Sequence, residues 1–298
     1  MKKTLLTYIF AFFFCLFFIV GTVSAFFCTT VFDSDKYMKR MEKNNYSEIV
    51  VSYLYNQLDS IGDVISIDTD DIFSLLRKDD VVAHSKNYTK TYLEAILNGK
   101  SFLDSDVAPY SIEYAKADLE QLVKSFYETS ENSFSEEEFE IIYDYIEKQI
   151  NSSLKFLSSA ILEKTIPLGK YAVLAKKVFK AASVSLAFAF ILLLATIFIN
   201  RKDGIVKLCY KVGGIVFVPS AIIFIPTFLF DNYNLGSKVA IARSPLSVVF
   251  ASVIDTIVKG LEGISGVIFA ISFILVVVGA ILISKNIYGK KAEKEITQ

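Results

Sequence analysis

Residues 263–284 read GISGVIFAISFILVVVGAILIS, a run of 22 positions without Asp, Glu, Lys, Arg or His. At about 1.5 Å of rise per residue, a helix of this length covers the roughly 30 Å hydrocarbon core of a bilayer. Three other stretches, 5–27, 181–200 and 212–230, are equally free of ionisable side chains. The chain therefore predicts an all-α membrane protein with TM1 at about 5–27, TM2 at about 181–200, TM3 at about 212–230 and TM4 at about 263–284. Composition agrees: 53% of the 298 residues are hydrophobic and mean hydropathy is +0.46. Soluble chains hold roughly 45–50% apolar residues.

Outward from these runs, charge is strongly segregated. Between Asp33 and Leu168 there are 26 acidic and 14 basic side chains, an excess of twelve negative charges in a chain whose total is -1. Short basic pieces flank the spans on the opposite side: Lys2 and Lys3, then Arg201, Lys202, Lys207 and Lys211, then Lys285, Lys290, Lys291 and Lys294. Lysine and arginine collect in short cytoplasmic loops, which places both termini in the cytoplasm and residues 33–168 outside, in a multi-pass protein of the cell membrane. Lys170, Lys176, Lys177 and Lys180 then precede TM2 on the outer side, where they are candidates for contact with lipid headgroups or a partner. Val23-Ser24-Ala25 after a lysine-led apolar run also fits a cleaved secretory signal, but the apolar run continues through Phe26, Phe27 and Val31, which favours an uncleaved anchor. The expected organisation is an anchor at 1–32, an extracytoplasmic acidic helical bundle at 33–168, and a three-helix membrane region with a basic tail at 169–298.

Within the acidic segment, apolar residues recur at steps of three and four. The clearest stripe is Phe139, Ile142, Ile146, Ile150, Leu154, Leu157 and Ile161, opened by Ser135 and Glu138 in capping-box spacing and closed by Pro167. Others are Tyr46, Ile49, Val50, Tyr53, Leu54 and Leu58, then Ile112, Ala115, Leu119, Leu122 and Phe126, and a weaker Tyr88, Tyr92, Leu93 and Ile96 before Asn98-Gly99. Ser244-Pro245 opens a further amphipathic helix at about 245–262, whose face includes Phe250 and Ile254, candidates for membrane or partner contact.

Candidate chemistry is sparse. His84 is the single histidine, and the cysteines are Cys15, Cys28 and Cys209, so neither a histidine-rich metal centre nor a disulfide within the acidic segment is expected. Asp68, Asp70 and Asp71 lack the glycine and distal glutamate of a calcium loop and read as a helix cap. No glycine-rich phosphate loop or dinucleotide fingerprint occurs, and nothing marks a nucleic-acid surface. No catalytic residue, metal ligand or cofactor is assigned. The spans lack the intramembrane charges that proton relays and ion-coupled transporters use, while Gly213, Gly214, Pro219 and Pro226 interrupt TM3.

The order of parts, one span, a large outer domain, then three spans with a small second outer loop, is similar to that of FtsX- and MacB-type permease subunits. That likeness implies a transport subunit working beside an ATPase. The residues themselves favour a non-enzymatic scaffold, accessory or sensory protein. Its outer domain would bind a protein partner or a second copy, and membrane lipids would surround the spans. An envelope hydrolase using outer-domain carboxylates is the third expectation.

Overall fold

The computed structural model describes residues 2–65, 67–100, 102–103, 106–128, 135–157, 168–233 and 244–296. In chain order the α-helices among them are α1 (Lys2–Phe26), α2 (Ser34–Lys43), α3 (Tyr46–Ile65), α4 (Thr69–Ser74), α5 (Lys78–Leu97), α6 (Lys116–Glu128), α7 (Glu136–Leu154), α8 (Leu168–Ser183), α9 (Ser185–Asn200), α10 (Ile205–Asn232) and α11 (Pro245–Ile296). No strand occurs among the described residues. The chain divides into an apolar unit, Met1–Phe32, Ala175–Gly236 and Ile254–Gln298, and an acidic unit, Asp33–Leu174 and Ser237–Val253.

Among the described residues, four helical stretches are long and apolar enough to cross a membrane: Lys3–Val31, Gly169–Asp203, Ile205–Asn232 and Pro245–Lys285. Each exceeds the apolar run that announces it. In the second, α8 and α9 join at Val184, where Ser185 Oγ donates to the Ala182 carbonyl at 2.6 Å. The helix at 245–262 and the span at 263–284 are one helix, α11. Gly260 and Gly263 lie within it, and an internal glycine costs only about 1 kcal/mol of helix propensity, too little to break so long an apolar segment.

Small residues let these helices approach. A Cβ on Gly21 would stand 2.6 Å from the Leu186 amide nitrogen, so α1 and α9 meet backbone to backbone. Gly213 meets Leu275 and Gly279 meets Tyr210 in the same way, which seats α11 against α10. Lipid tails are as apolar as leucine, so close van der Waals packing of this kind carries helix association inside a membrane.

The acidic unit has an ordinary apolar core. Tyr46, Leu54 and Leu58 of α3, Ile72 of α4, and Phe139 and Ile146 of α7 are fully enclosed, and Val248 and Val249 from the first turns of α11 join the same cluster. A smaller cluster forms around Phe102, whose ring meets Tyr88 and Tyr92 edge-on at 5.3 and 5.2 Å. The capping box of Ser135 and Glu138 is present, with the Glu138 amide donating to Ser135 Oγ and the Ser135 amide donating to Glu138 Oε2. Gly99 ends α5 at φ +68°, where the Gly99 amide donates to the Ile96 carbonyl and the Lys100 amide to that of Ala95, the paired bonds of a Schellman stop.

Two stripes differ from expectation. At the entry to α6 Ala115 is buried, and within α6 the buried positions are Leu119 and Val123, while Leu122 lies at the margin and Phe126 is exposed. Ala115, Leu119 and Val123 are four apart and lie on one row of the helix face, whereas Leu122 and Phe126 lie on the neighbouring row. Helix α7 ends at Leu154, and Leu157 reaches the smaller cluster from the turn beyond it. Ile161 and Pro167 lie outside the described residues.

Candidate functional site

Chemistry-bearing side chains of the acidic unit hold the fold. Tyr46, fully buried, bonds through its hydroxyl to Ser85 Oγ at 2.8 Å and Thr89 Oγ1 at 2.9 Å, tying α3 to α5. Burial pushes this phenol up to about 12. Asp33 and Asp68 cap α2 and α4, the second being the cap that the Asp68-Thr69-Asp70-Asp71 sequence implies. Ion pairs engage further carboxylates: Asp35 with Lys90 at 2.8 Å, Glu42 with Lys86 at 2.5 Å and Glu140 with Lys116 at 2.9 Å. Glu113 and Glu147 both accept from the Tyr143 hydroxyl, and Glu147 also accepts from the Ile112 amide.

His84 is half-buried on α5, edge-on to Tyr110 at 5.6 Å, and its Nε2 is enclosed without a hydrogen-bond partner among the described residues. Removal from water, and then the charge of Lys155, lowers its pKa below the usual 6.5. The polar sequence around it gave no sign of this burial. Among the described residues no group of three or more His, Cys, Asp or Glu side chains converges as metal ligands do.

The residues expected to touch lipid or a partner fall on two helices. Lys170, Lys176, Lys177 and Lys180 are exposed on α8 beside outward-facing Tyr171, Leu174 and Val178. Phe179 faces the other way and stacks on Phe27 at 4.4 Å, and Lys176 Nζ stands 5.9 Å from the Phe32 ring centre. Phe250 is exposed on α11 and Ile254 is partly covered one turn later, while Val248 and Val249 point into the acidic unit's core.

The most developed site lies in the apolar unit and was not expected. At one end of its helices, Asp203 receives Lys3 on Oδ1 at 2.5 Å and Lys211 on Oδ2 at 2.6 Å. Lys211 also donates to Asn200 Oδ1 at 2.9 Å. Asn200 is fully buried, and its Nδ2 donates to Thr7 Oγ1 and to the Thr196 carbonyl. This network draws together the start of α1, the end of α9 and the start of α10. It forms one wall of a cleft of about 880 Å³ that continues between apolar walls, including Tyr8, Phe12, Val218, Val276 and Ile283. Farther along the spans, several hydroxyls bond within their own helices. Thr196, Ser220, Thr227, Ser265 and Ser272 each donate to a carbonyl three or four residues back. Asn200 followed by Arg-Lys-Asp was the only local hint of the network, and it reads equally well as an ordinary loop. Compared with known proteins, the chain matches no family model, no curated protein and no solved structure.

Proposed function

We infer that the protein is a non-enzymatic, multi-pass component of a cell envelope, with residues 33–168 outside the membrane as a helical domain that binds a protein partner or a second copy. One observation carries this reading: among the described residues, carboxylates, phenols and hydroxyls of the acidic unit serve as caps, ion pairs and interhelix bonds around a filled core. An acidic, well-packed domain joined to apolar helices is suited to recognition by charge and shape. The spans support the same reading, since the hydroxyls of Thr196, Ser220, Thr227, Ser265 and Ser272 bond to their own backbones rather than lining a path for a solute. Crosslinking in intact membranes, then purification in mild detergent, is expected to recover a specific partner or a discrete oligomer. Monomer alone, at every crosslinker length tried, overturns the proposal.

The transport reading rests on a different feature, the two prolines at 219 and 226 inside the unbroken helix α10. Each removes a backbone donor and leaves a carbonyl free one turn earlier, a device for bending. A permease subunit would co-purify with an ATPase and stimulate its turnover. A partner without nucleotide hydrolysis favours the scaffold.

A further inference from the structure

We propose that the cleft between α1, α10 and α11 is a binding site for one anionic phospholipid, held by its phosphate at the charged end and by an acyl chain along the apolar walls. The charges at the mouth are Lys3, Lys207 and Lys211 against Asp203, an excess of two positive charges. Both oxygens of Asp203 are occupied by Lys3 and Lys211, and Lys207 is exposed with no ion pair among the described residues. The mouth can therefore accept further negative charge, and a headgroup phosphate supplies it.

The dimensions fit a lipid. Along α1 the lining runs from Lys3 to Cys15, and along α10 from Lys207 to Val218. At 1.5 Å per residue these are about 18 and 17 Å of helix, close to half of the roughly 30 Å hydrocarbon thickness. The cleft thus spans one leaflet, with its charges at headgroup depth. Its walls include large apolar side chains left open, Tyr8 at 70%, Phe12 at 64% and Val218 at 51% exposure. Gly214 lies in the lining, and a Cβ there would meet nothing within 4 Å, so the space beside it is free for a chain. A soluble anion would satisfy the mouth but leave these walls bare, and an uncharged apolar helix would cover the walls but leave the lysines unmatched. The bilayer supplies a molecule with both features.

Native mass spectrometry of the full chain in delipidating detergent tests this, with phosphatidylglycerol and phosphatidylcholine of identical chains added at equal concentration. A single phosphatidylglycerol adduct is expected to dominate. Lys207→Gln should weaken it about fivefold, the effect of one lysine beside an anionic headgroup, without changing phosphatidylcholine binding. Gly214→Leu fills the cleft and should remove the adduct, whereas Gly263→Leu, whose Cβ also meets nothing within 4 Å, should leave it intact. A phosphatidylglycerol bearing a photoreactive acyl chain should label peptides covering residues 8–15 and 214–218. Adducts of both lipids accumulating in a random series and insensitive to Lys207→Gln and Gly214→Leu would mean ordinary surrounding lipid and overturn the site. Loss with Lys207→Gln but retention with Gly214→Leu would overturn it as well, because the cleft would then hold no chain.

Discussion

Tyr46 shows how a single side chain joins two helices in the acidic unit. Its ring is fully buried, and its hydroxyl is the shared partner of Ser85 and Thr89, both themselves buried. Tyr46→Phe keeps the ring but strands two buried hydroxyls, so it should cost about 1–3 kcal/mol. Thermal melting of the full chain in detergent, followed by circular dichroism, is the check, and an unchanged midpoint would mean that water reaches the pocket. His84 acts through charge. Its folded pKa lies below the usual 6.5, so as pH falls the unfolded chain takes up the proton first. Stability is then complete above about pH 6.5 and declines as pH falls from there toward the folded value. Asp35 and Glu138, whose pKa values the fold lowers through bonds to Lys90 and Ser135, act in the same direction, but only below their ordinary 3.8 and 4.5. The two windows separate. Between pH 7.5 and 5 the wild type should lose melting temperature while His84→Phe stays level. A wild type that is itself level there would show that the imidazole is solvated.

Helix α7 was legible because its signals are local: Ser135 and Glu138 are three residues apart, and Phe139, Ile146 and Ile150 recur at helical spacing. The apolar spans were legible for the same reason. What the sequence concealed depends on distant partners. Whether Leu122 or Val123 faces inward is settled by the neighbours α6 meets, not by α6 alone. The Lys3, Asn200, Asp203 and Lys211 network joins residues up to 200 positions apart, and no window of sequence holds both ends. Gly21 is a third case. Within its own run it is one small residue among many, and only the approach of Leu186 and Ser185 gives it a role. Gly21→Leu would drive a side chain into the α9 backbone and should destabilise the apolar unit by about 1–3 kcal/mol, the usual range for overpacking. Gly263→Leu, with open space around it, is the matched control. Equal melting of the two variants would mean that α1 and α9 do not pack at Gly21.

At the scale of the whole molecule, sidedness decides which function is open to it. The Lys3–Asp203 contact puts the beginning of α1 and the end of α9 at the same end of the apolar unit. The chain between these helices therefore leaves α1 and enters the α8–α9 stretch from their other ends. A cluster of lysine and arginine in short connections is retained in the cytoplasm, whereas long segments are translocated largely regardless of their charge. We propose on this ground that residues 33–168 lie outside, lysines 170, 176, 177 and 180 notwithstanding. Replacing Cys15, Cys28 and Cys209 by alanine gives a background for single-cysteine reporters at exposed positions. In intact cells, a membrane-impermeant maleimide should label Ala117→Cys at once and Lys202→Cys only after permeabilisation. The reverse pattern would put the acidic unit in the cytoplasm and remove the envelope partner proposed for it. It would leave the lipid cleft untouched, because a headgroup site at the end of α1 is available from whichever leaflet faces Lys3.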